Sequence, residues 1–346
     1  MRKRELKNVE WALLIIALIL CTVGLVALFS STQESEYDEF KKQCIWLGVS
    51  LVIMIIVMVI DYELIVKISP IGYGLFILLL IAVLFTKPIN GATSWFNIGF
   101  FSFQPAEFAK VFVILFLAFA IRRIQERNKR DINKPTRLLI IFAIIGVPVL
   151  FIVMQPDYGT AAAYLIALAM MLITTGISKR YILITAILIV IAVPLLYNFV
   201  LPEHAKKRID IFLNPESDPR GAGYNIIQSK LAIGAGGLTG MGYLKGNQTQ
   251  LGFLYPKTTD FIFAVISEEM GFIVAGSVII LYVFLVTKSL YVAKTAKDDL
   301  GALIASGITG VFLFHMVENI RNGNGITSYY RSAITIYQLW RKFTYN

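Results

Sequence analysis

Long, almost uncharged apolar stretches recur along the chain, separated by short polar connections. Nine stand out, at residues 11–31, 44–60, 70–86, 105–121, 138–154, 159–177, 181–201, 260–287 and 301–320. A helix needs about 20 predominantly apolar residues to cross the hydrocarbon core of a bilayer. Only helices and closed barrels satisfy their backbone there, and these runs lack the alternation of barrel strands. The pattern therefore predicts an all-α polytopic membrane protein with nine spans. The first run has no convincing small-residue cleavage site, so it is expected to remain as a span.

The connections are polar in an ordered way. Lys and Arg fall at Arg2, Lys3, Arg4 and Lys7, then in the loop with Arg122, Arg123, Arg127, Lys129, Arg130, Lys134 and Arg137. They return at Lys179 and Arg180, and at Lys288, Lys294 and Lys297. If the spans alternate, all four groups lie on one side, which the positive-inside rule makes the cytoplasm. The N-terminus is then cytoplasmic. The opposite side holds an acidic loop with Glu34, Glu36, Asp38 and Glu39, the 91–104 loop, the turn at Gln155–Tyr158 and one very long loop, 202–259. A loop of that length is functional or disordered. This one contains Pro219-Arg220-Gly221-Ala222-Gly223-Tyr224, an amphipathic run Asn225–Ile233 and a glycine-rich stretch Gly234–Gly242.

Composition narrows the function. Hydrophobic residues make up 57% of the 346 positions and charged residues 16%, too little charge for a soluble domain of this size. The net charge of +10 is accounted for by the loops. No basic face interleaved with aromatic platforms is present, so nucleic acid is not an expected partner. Cys21 and Cys44 form neither a disulfide framework nor a metal spacing. His204 and His315 are isolated and not expected to ligate metal. No clear internal repeat is found, which weakens a transporter built from inverted repeats.

Ionisable residues at membrane depth are functional candidates because burying them is costly. Glu107 and Lys110 are three apart, share a helix face and can pair; the pair is either structural or the polar lining of a substrate cavity. Asp260 stands at the outer start of the eighth run. It is either an N-cap or first-turn acid favoured by the helix dipole, or a reactive carboxylate. Glu268 and Glu269 follow in the same run. Placed on one helix, Asp260 and Glu268 would be about 12 Å apart along the axis. At least one of the two adjacent glutamates should be neutral or paired with a cation. Asp157, Arg208, Arg220, Gln228, Lys230 and Lys257 complete an outer cluster of acids and bases that suits a phosphate-bearing lipid, or a solvated surface.

Several motifs carry a family resemblance. They are Phe103-Gln104-Pro105-Ala106-Glu107-Phe108-Ala109-Lys110, Gln155-Pro156-Asp157-Tyr158-Gly159-Thr160, the run from Gly223-Tyr224-Asn225 to Gly242, and Thr259-Asp260-Phe261-Ile262-Phe263 followed by Glu268-Glu269-Met270-Gly271. Spread in order over residues 1–320, they resemble the SEDS family of rod-shape, division and sporulation proteins. The acidic outer loop and Gly91-Ala92-Thr93-Ser94-Trp95 look most like the rod-shape branch. The resemblance implies a ten-span peptidoglycan glycosyltransferase that polymerises lipid II into glycan strands at the outer face of the bacterial plasma membrane during cell elongation. It implies Asp260 as the essential aspartate, and Glu107 and Lys110 as the buried acid and lysine. Gln104, Asp157, Arg208, Gln228, Lys257 and Glu268 are candidates for the substrate-binding polar cavity. The implied partners are a class B penicillin-binding transpeptidase and proteins of the elongation or division complex. No organic cofactor is implied, although a divalent cation (Mg or Mn) could neutralise the pyrophosphate. A lipid II flippase or other transporter and a non-catalytic scaffold are the competing readings.

The SEDS transmembrane domain is thus expected over 1–320, with an aberrant tail over 321–346 in place of the last span. The tail has no proline, no acid and no apolar run of span length. Codons compatible with Thr335–Asn346, read one base later, spell Pro-Phe-Ile-Ser-Tyr-Gly-Gly-Ser-Ser-Leu-Ile, the family's missing motif. A frameshift is the expected cause.

Overall fold

The computed structural model describes residues 10–87, 93–98, 101–126, 128–195, 214–221, 223–255 and 257–324, with positions 199, 203 and 206. Helices begin earlier than the apolar runs wherever a charged first turn belongs to them. α1 spans Trp11–Ser31. α2 spans Asp38–Val59 and opens on Asp38 and Glu39, which suit the positive end of a helix dipole. α3 spans Tyr62–Val83 and is capped by Asp61, whose carboxylate accepts from the Glu63 amide. Reading apolarity alone placed the starts of α2 and α3 at 44 and 70.

Among the described residues one hairpin is not helical. β1 (Phe96–Ile98) and β2 (Phe101–Phe103) form an antiparallel hairpin, with Phe96 opposite Phe103 and Ile98 opposite Phe101. The described chain is otherwise helical, as expected of an all-α membrane protein; at this hairpin Phe-Asn-Ile and Phe-Ser-Phe alternate with the period of a strand. α4 (Pro105–Gln125) starts with proline at its first position, where a missing N–H costs nothing. α5 (Pro135–Met154), α6 (Tyr158–Thr174) and α7 (Lys179–Leu195) follow. The long 202–259 loop contains α8 (Tyr224–Ala235), where the sequence has its amphipathic run, and a single turn, α9 (Asn247–Gln250). α10 (Ile262–Thr295) and α11 (Asp299–Asn324) end the described chain.

Among the described residues six helices are long and apolar enough to cross a membrane: α1, α2, α3, α5, α10 and α11. α6 and α7 have 17 residues each. α4 carries Glu107, Lys110, Arg122 and Arg123. A count of nine therefore does not follow from length and composition alone. α11 runs four residues beyond the expected domain end at 320; residues 325–346 of the tail lie outside the described residues.

The chain divides into two units. The first comprises Ser50–Ala186 and Leu285–His315. Its core is formed by Leu117, Ile121, Ile141, Ile145, Tyr164 and Met171, all fully or nearly fully buried. Small residues let its helices approach: a Cβ on Gly307 of α11 would lie 2.6 Å from Ile114 of α4, and one on Gly310 2.7 Å from the Ala167 backbone of α6. The second unit comprises Glu10–Val49, Ile187–Phe284 and the chain from Met316. Its core joins Ala27, Ala232, Leu254, Phe261, Ala264 and Val265.

α10 is not one straight rod. It breaks at Gly271, whose φ of 77° and ψ of −179° are outside the helical region. A break at membrane depth survives only where the released backbone groups find partners in the protein. Here the glycine-rich loop supplies them. Met241 and Gly242 amides donate to the carbonyls of Glu268 and Glu269 at 2.8 and 3.1 Å, and the Phe272 and Ile273 amides donate to Gly237 and Leu238 at 2.9 and 3.2 Å.

Candidate functional site

In the first unit, the Pro105 start of α4 brings four of the expected site residues together with one that was not expected. Gln104, at the N-cap of α4, does not cap with its side chain; its Nε2 donates to Asp157 Oδ2 at 2.8 Å. The other Asp157 oxygen accepts from the Thr160 amide at 3.1 Å and so caps α6. One turn into α4, the Lys110 ammonium donates to Glu107 Oε1 at 2.8 Å. Lys110 is 5% exposed, Glu107 43%. The expectation of a buried acid is therefore corrected: the lysine is buried and the glutamate opens outward. Lys110 Nζ also lies 3.1 Å from His315 Nε2 on α11. His315 is thus not isolated. No spacing in the sequence could reveal this contact, because 205 residues separate the two.

Two buried groups complete this neighbourhood. The Tyr164 hydroxyl donates to the Ala106 carbonyl at 2.7 Å. Gln155, fully buried, donates to the Leu80 carbonyl at 3.2 Å, while Ser94 donates to the Gln155 carbonyl. Gln155 was quoted only as part of a motif; its burial was not legible.

In the second unit, Asp260 is exposed and precedes α10, which begins at Ile262. Its carboxylate makes no hydrogen bond or ion pair with another described residue, so the N-cap reading does not hold. Nor do Asp260 and Glu268 share a helix. Glu268 and Glu269 are both buried, at 0% and 1% exposure. Each has its own set of hydrogen-bond donors. Glu268 accepts from the Gln248 amide at 2.7 Å, the Thr249 amide at 3.0 Å and the Thr249 hydroxyl at 2.7 Å. Glu269 accepts from the Ser30 hydroxyl at 2.7 Å, the Gln250 carboxamide at 2.8 Å and the Leu244 amide at 3.2 Å. The adjacent acids point to different donors, as successive positions on a helix must.

Lys257 donates to the Thr249 carbonyl at 3.0 Å, so it and Glu268 meet on the same residue. Gln228 is half-buried on α8. Arg208 lies outside the described residues, as does His204. Glu268 is thus tied into the loop at Gln248 and Thr249. Among the described residues no three His, Cys, Asp or Glu side chains come together as a metal site.

A family model described as "Cell cycle protein", covering FtsW, RodA and SpoVE, matches residues 9–328. The chain belongs to this family. As an FtsW/RodA/SpoVE protein with several apolar helices long enough to span, it is a multi-pass membrane protein. It is 36% identical over 317 residues to peptidoglycan glycosyltransferase MrdB of Escherichia coli K12, across 91% of this chain and 83% of that protein. It is 32% identical to peptidoglycan glycosyltransferase RodA of Treponema pallidum, across 94% and 92% of the two chains. Stage V sporulation protein E of Bacillus subtilis is also 32% identical, across 89% and 85%. A solved chain from a peptidoglycan synthase complex that coordinates polymerization and crosslinking superposes with a TM-score of 0.78 at 25% identity, covering 92% of this chain and 88% of that one. The Thermus thermophilus rod-shape-determining protein RodA shares the fold, with a TM-score of 0.65 at 23% identity over 91% and 85% of the chains. The family match extends eight residues past 320.

Proposed function

We propose that this chain is a peptidoglycan glycosyltransferase of the rod-shape branch, which extends glycan strands from lipid II at the outer face of the plasma membrane. The observation that carries the reading is its 36% identity to a peptidoglycan glycosyltransferase over 91% of its own length. In this reaction a sugar hydroxyl attacks the anomeric carbon of a donor sugar. A new C–O bond forms, the bond to the pyrophosphate breaks, and the hydroxyl proton must leave. Asp260 is an exposed carboxylate with no described partner, free to take that proton as general base. The departing pyrophosphate gains charge as it leaves, and a cation stabilises that charge best when it is fixed in advance.

The basic loops at Arg122–Arg137, Lys179–Arg180 and Lys288–Lys297 support a cytoplasmic N-terminus, which puts Asp260 outside. Cysteines placed at Lys129 and Gln248 and treated with an impermeant thiol reagent in intact cells are expected to label at Gln248 alone; labelling at Lys129 reverses the orientation. A class B penicillin-binding transpeptidase is the expected partner, by likeness to the synthase complex. The deciding experiment gives the purified full chain lipid II and resolves the products on a gel. Wild type is expected to make glycan ladders and Asp260→Asn none, although the variant inserts normally. Ladders of normal yield from Asp260→Asn remove Asp260 from the mechanism. Transport of lipid II without polymer by the wild type replaces the reading with a flippase.

A further inference from the structure

Lys110 is the most buried charge of the first unit's polar site, and its two contacts come from different places. Glu107 sits one turn earlier on the same helix. His315 comes from α11, and among the described residues it is the one that ties the ammonium to a second helix. Resting on the glycosyltransferase reading, we propose that His315 is a positioning residue: its Nε2 fixes the Lys110 ammonium so that a remaining N–H is aimed at the pyrophosphate of a polyprenyl-linked sugar.

An ammonium has three N–H donors and no acceptor. One points to Glu107 Oε1 at 2.8 Å and one to His315 Nε2 at 3.1 Å. Two fixed directions on a tetrahedral nitrogen determine the third. With an ammonium as donor, Nε2 is the acceptor, which places an imidazole N–H on Nδ1. Glu107 alone could not hold this geometry, because it is 43% exposed and opens outward.

The fold brings His315 to this point deliberately close. Gly307 and Gly310, on the preceding turns of α11, admit Ile114 of α4 and the Ala167 backbone of α6 at distances that no side chain would permit. Ser306 and Thr174 join α11 to α6 by a hydroxyl–hydroxyl contact of 2.6 Å. Phe314 packs edge-on to the His315 ring, with centroids 5.6 Å apart. Three helices thus hold the imidazole where it meets Lys110.

The test uses the full chain, lipid II and four variants: His315→Gln, His315→Leu, Lys110→Met and the Lys110→Met/His315→Leu double. His315→Gln keeps an acceptor at the same reach, whereas His315→Leu removes it. His315→Leu is expected to lower kcat by roughly tenfold or more, with KM changed much less, because the lost positioning matters most as charge develops. His315→Gln is expected to stay within about threefold of wild type. With Lys110→Met already present, His315→Leu should change the rate no further, since both act through one ammonium. Wild-type rates in His315→Leu, equal loss in the Gln and Leu variants, or losses that multiply in the double variant each overturn the proposal. If wild type makes no polymer, the glycosyltransferase reading has failed separately. The pairing is then read from thermal unfolding of the same variants: coupled shifts for Lys110→Met and His315→Leu uphold it, and additive shifts overturn it.

Discussion

Gly240 and Gly271 face each other with no room for a side chain on either. A Cβ on Gly240 would lie 2.7 Å from the Gly271 nitrogen and run into the Glu269 carbonyl, while one on Gly271 would run into the Gly240 nitrogen. Both also have positive φ, 84° and 77°. This contact locks the glycine-rich loop into the break of α10. Gly240→Ala or Gly271→Ala is expected to cost about 3 kcal/mol or more, from backbone strain together with the clash. Alanine at Gly237, where φ is also positive (52°) but nothing lies within 4 Å, should cost less. Thermal unfolding in detergent ranks the three; equal effects at Gly237 and Gly271 contradict the lock.

The paired acids give a second ordering. Both oxygens of Glu268 accept from N–H groups that cannot turn away, so an amide NH2 in Glu268→Gln must face a donor. A lost bond plus an unsatisfied buried donor costs about 1–3 kcal/mol. Around Glu269 Oε1 the partners are the Ser30 hydroxyl and the Gln250 carboxamide, which can rotate to accept. Glu269→Gln is therefore expected to be the milder change in the same unfolding assay, and the reverse order would contradict this account.

At the other end of the first unit, Tyr62 donates to Asp298 in the turn between α10 and α11, and the Gly301 amide donates to the same carboxylate. Burial pushes the Asp298 carboxyl up, but these hydrogen bonds, with Arg122 and Lys297 nearby, outweigh it and hold the group below the usual carboxylate range. A depressed folded-state pKa contributes stability that is present above the unfolded value and lost as pH falls through the folded one. Tyr62→Phe removes one of the stabilising bonds. The variant should lose stability at neutral pH and show a flatter acid limb than wild type. Parallel pH curves for the two proteins would exclude the linkage.

The tail carries its own expectation. Arg321–Asn324 continue α11 and the family match runs to residue 328. Codons compatible with Arg321–Asn346, read one base later, spell Gly-Met-Gly-Met-Gly-Leu-Leu-Pro-Ile-Thr-Gly-Val-Pro-Leu-Pro-Phe-Ile-Ser-Tyr-Gly-Gly-Ser-Ser-Leu-Ile. That string is apolar and rich in the small residues that pack spans closely. Sequencing the coding DNA is expected to place a one-base change of frame near Ile320. Bases that give stops or charged residues in the shifted frame rule this out.

The sequence by itself determined the class, the spans' approximate places and the Glu107–Lys110 pair. Each depends on a local property: the length of apolar runs that lipid demands, or two positions one helical turn apart. It also marked Gly234–Gly242 and Asp260 as places of interest. It could not show that α10 breaks at Gly271, because glycine is tolerated inside a helix and only the loop carbonyls and amides 30 or so residues away make the break affordable. It could not tell which groups surround Glu268 and Glu269, since their donors sit on Ser30 and on residues 244–250. His315 looked solitary for the same reason. Its partner is fixed by the packing of α11 against α4 through glycines, a relation of surfaces that only the folded chain brings into contact.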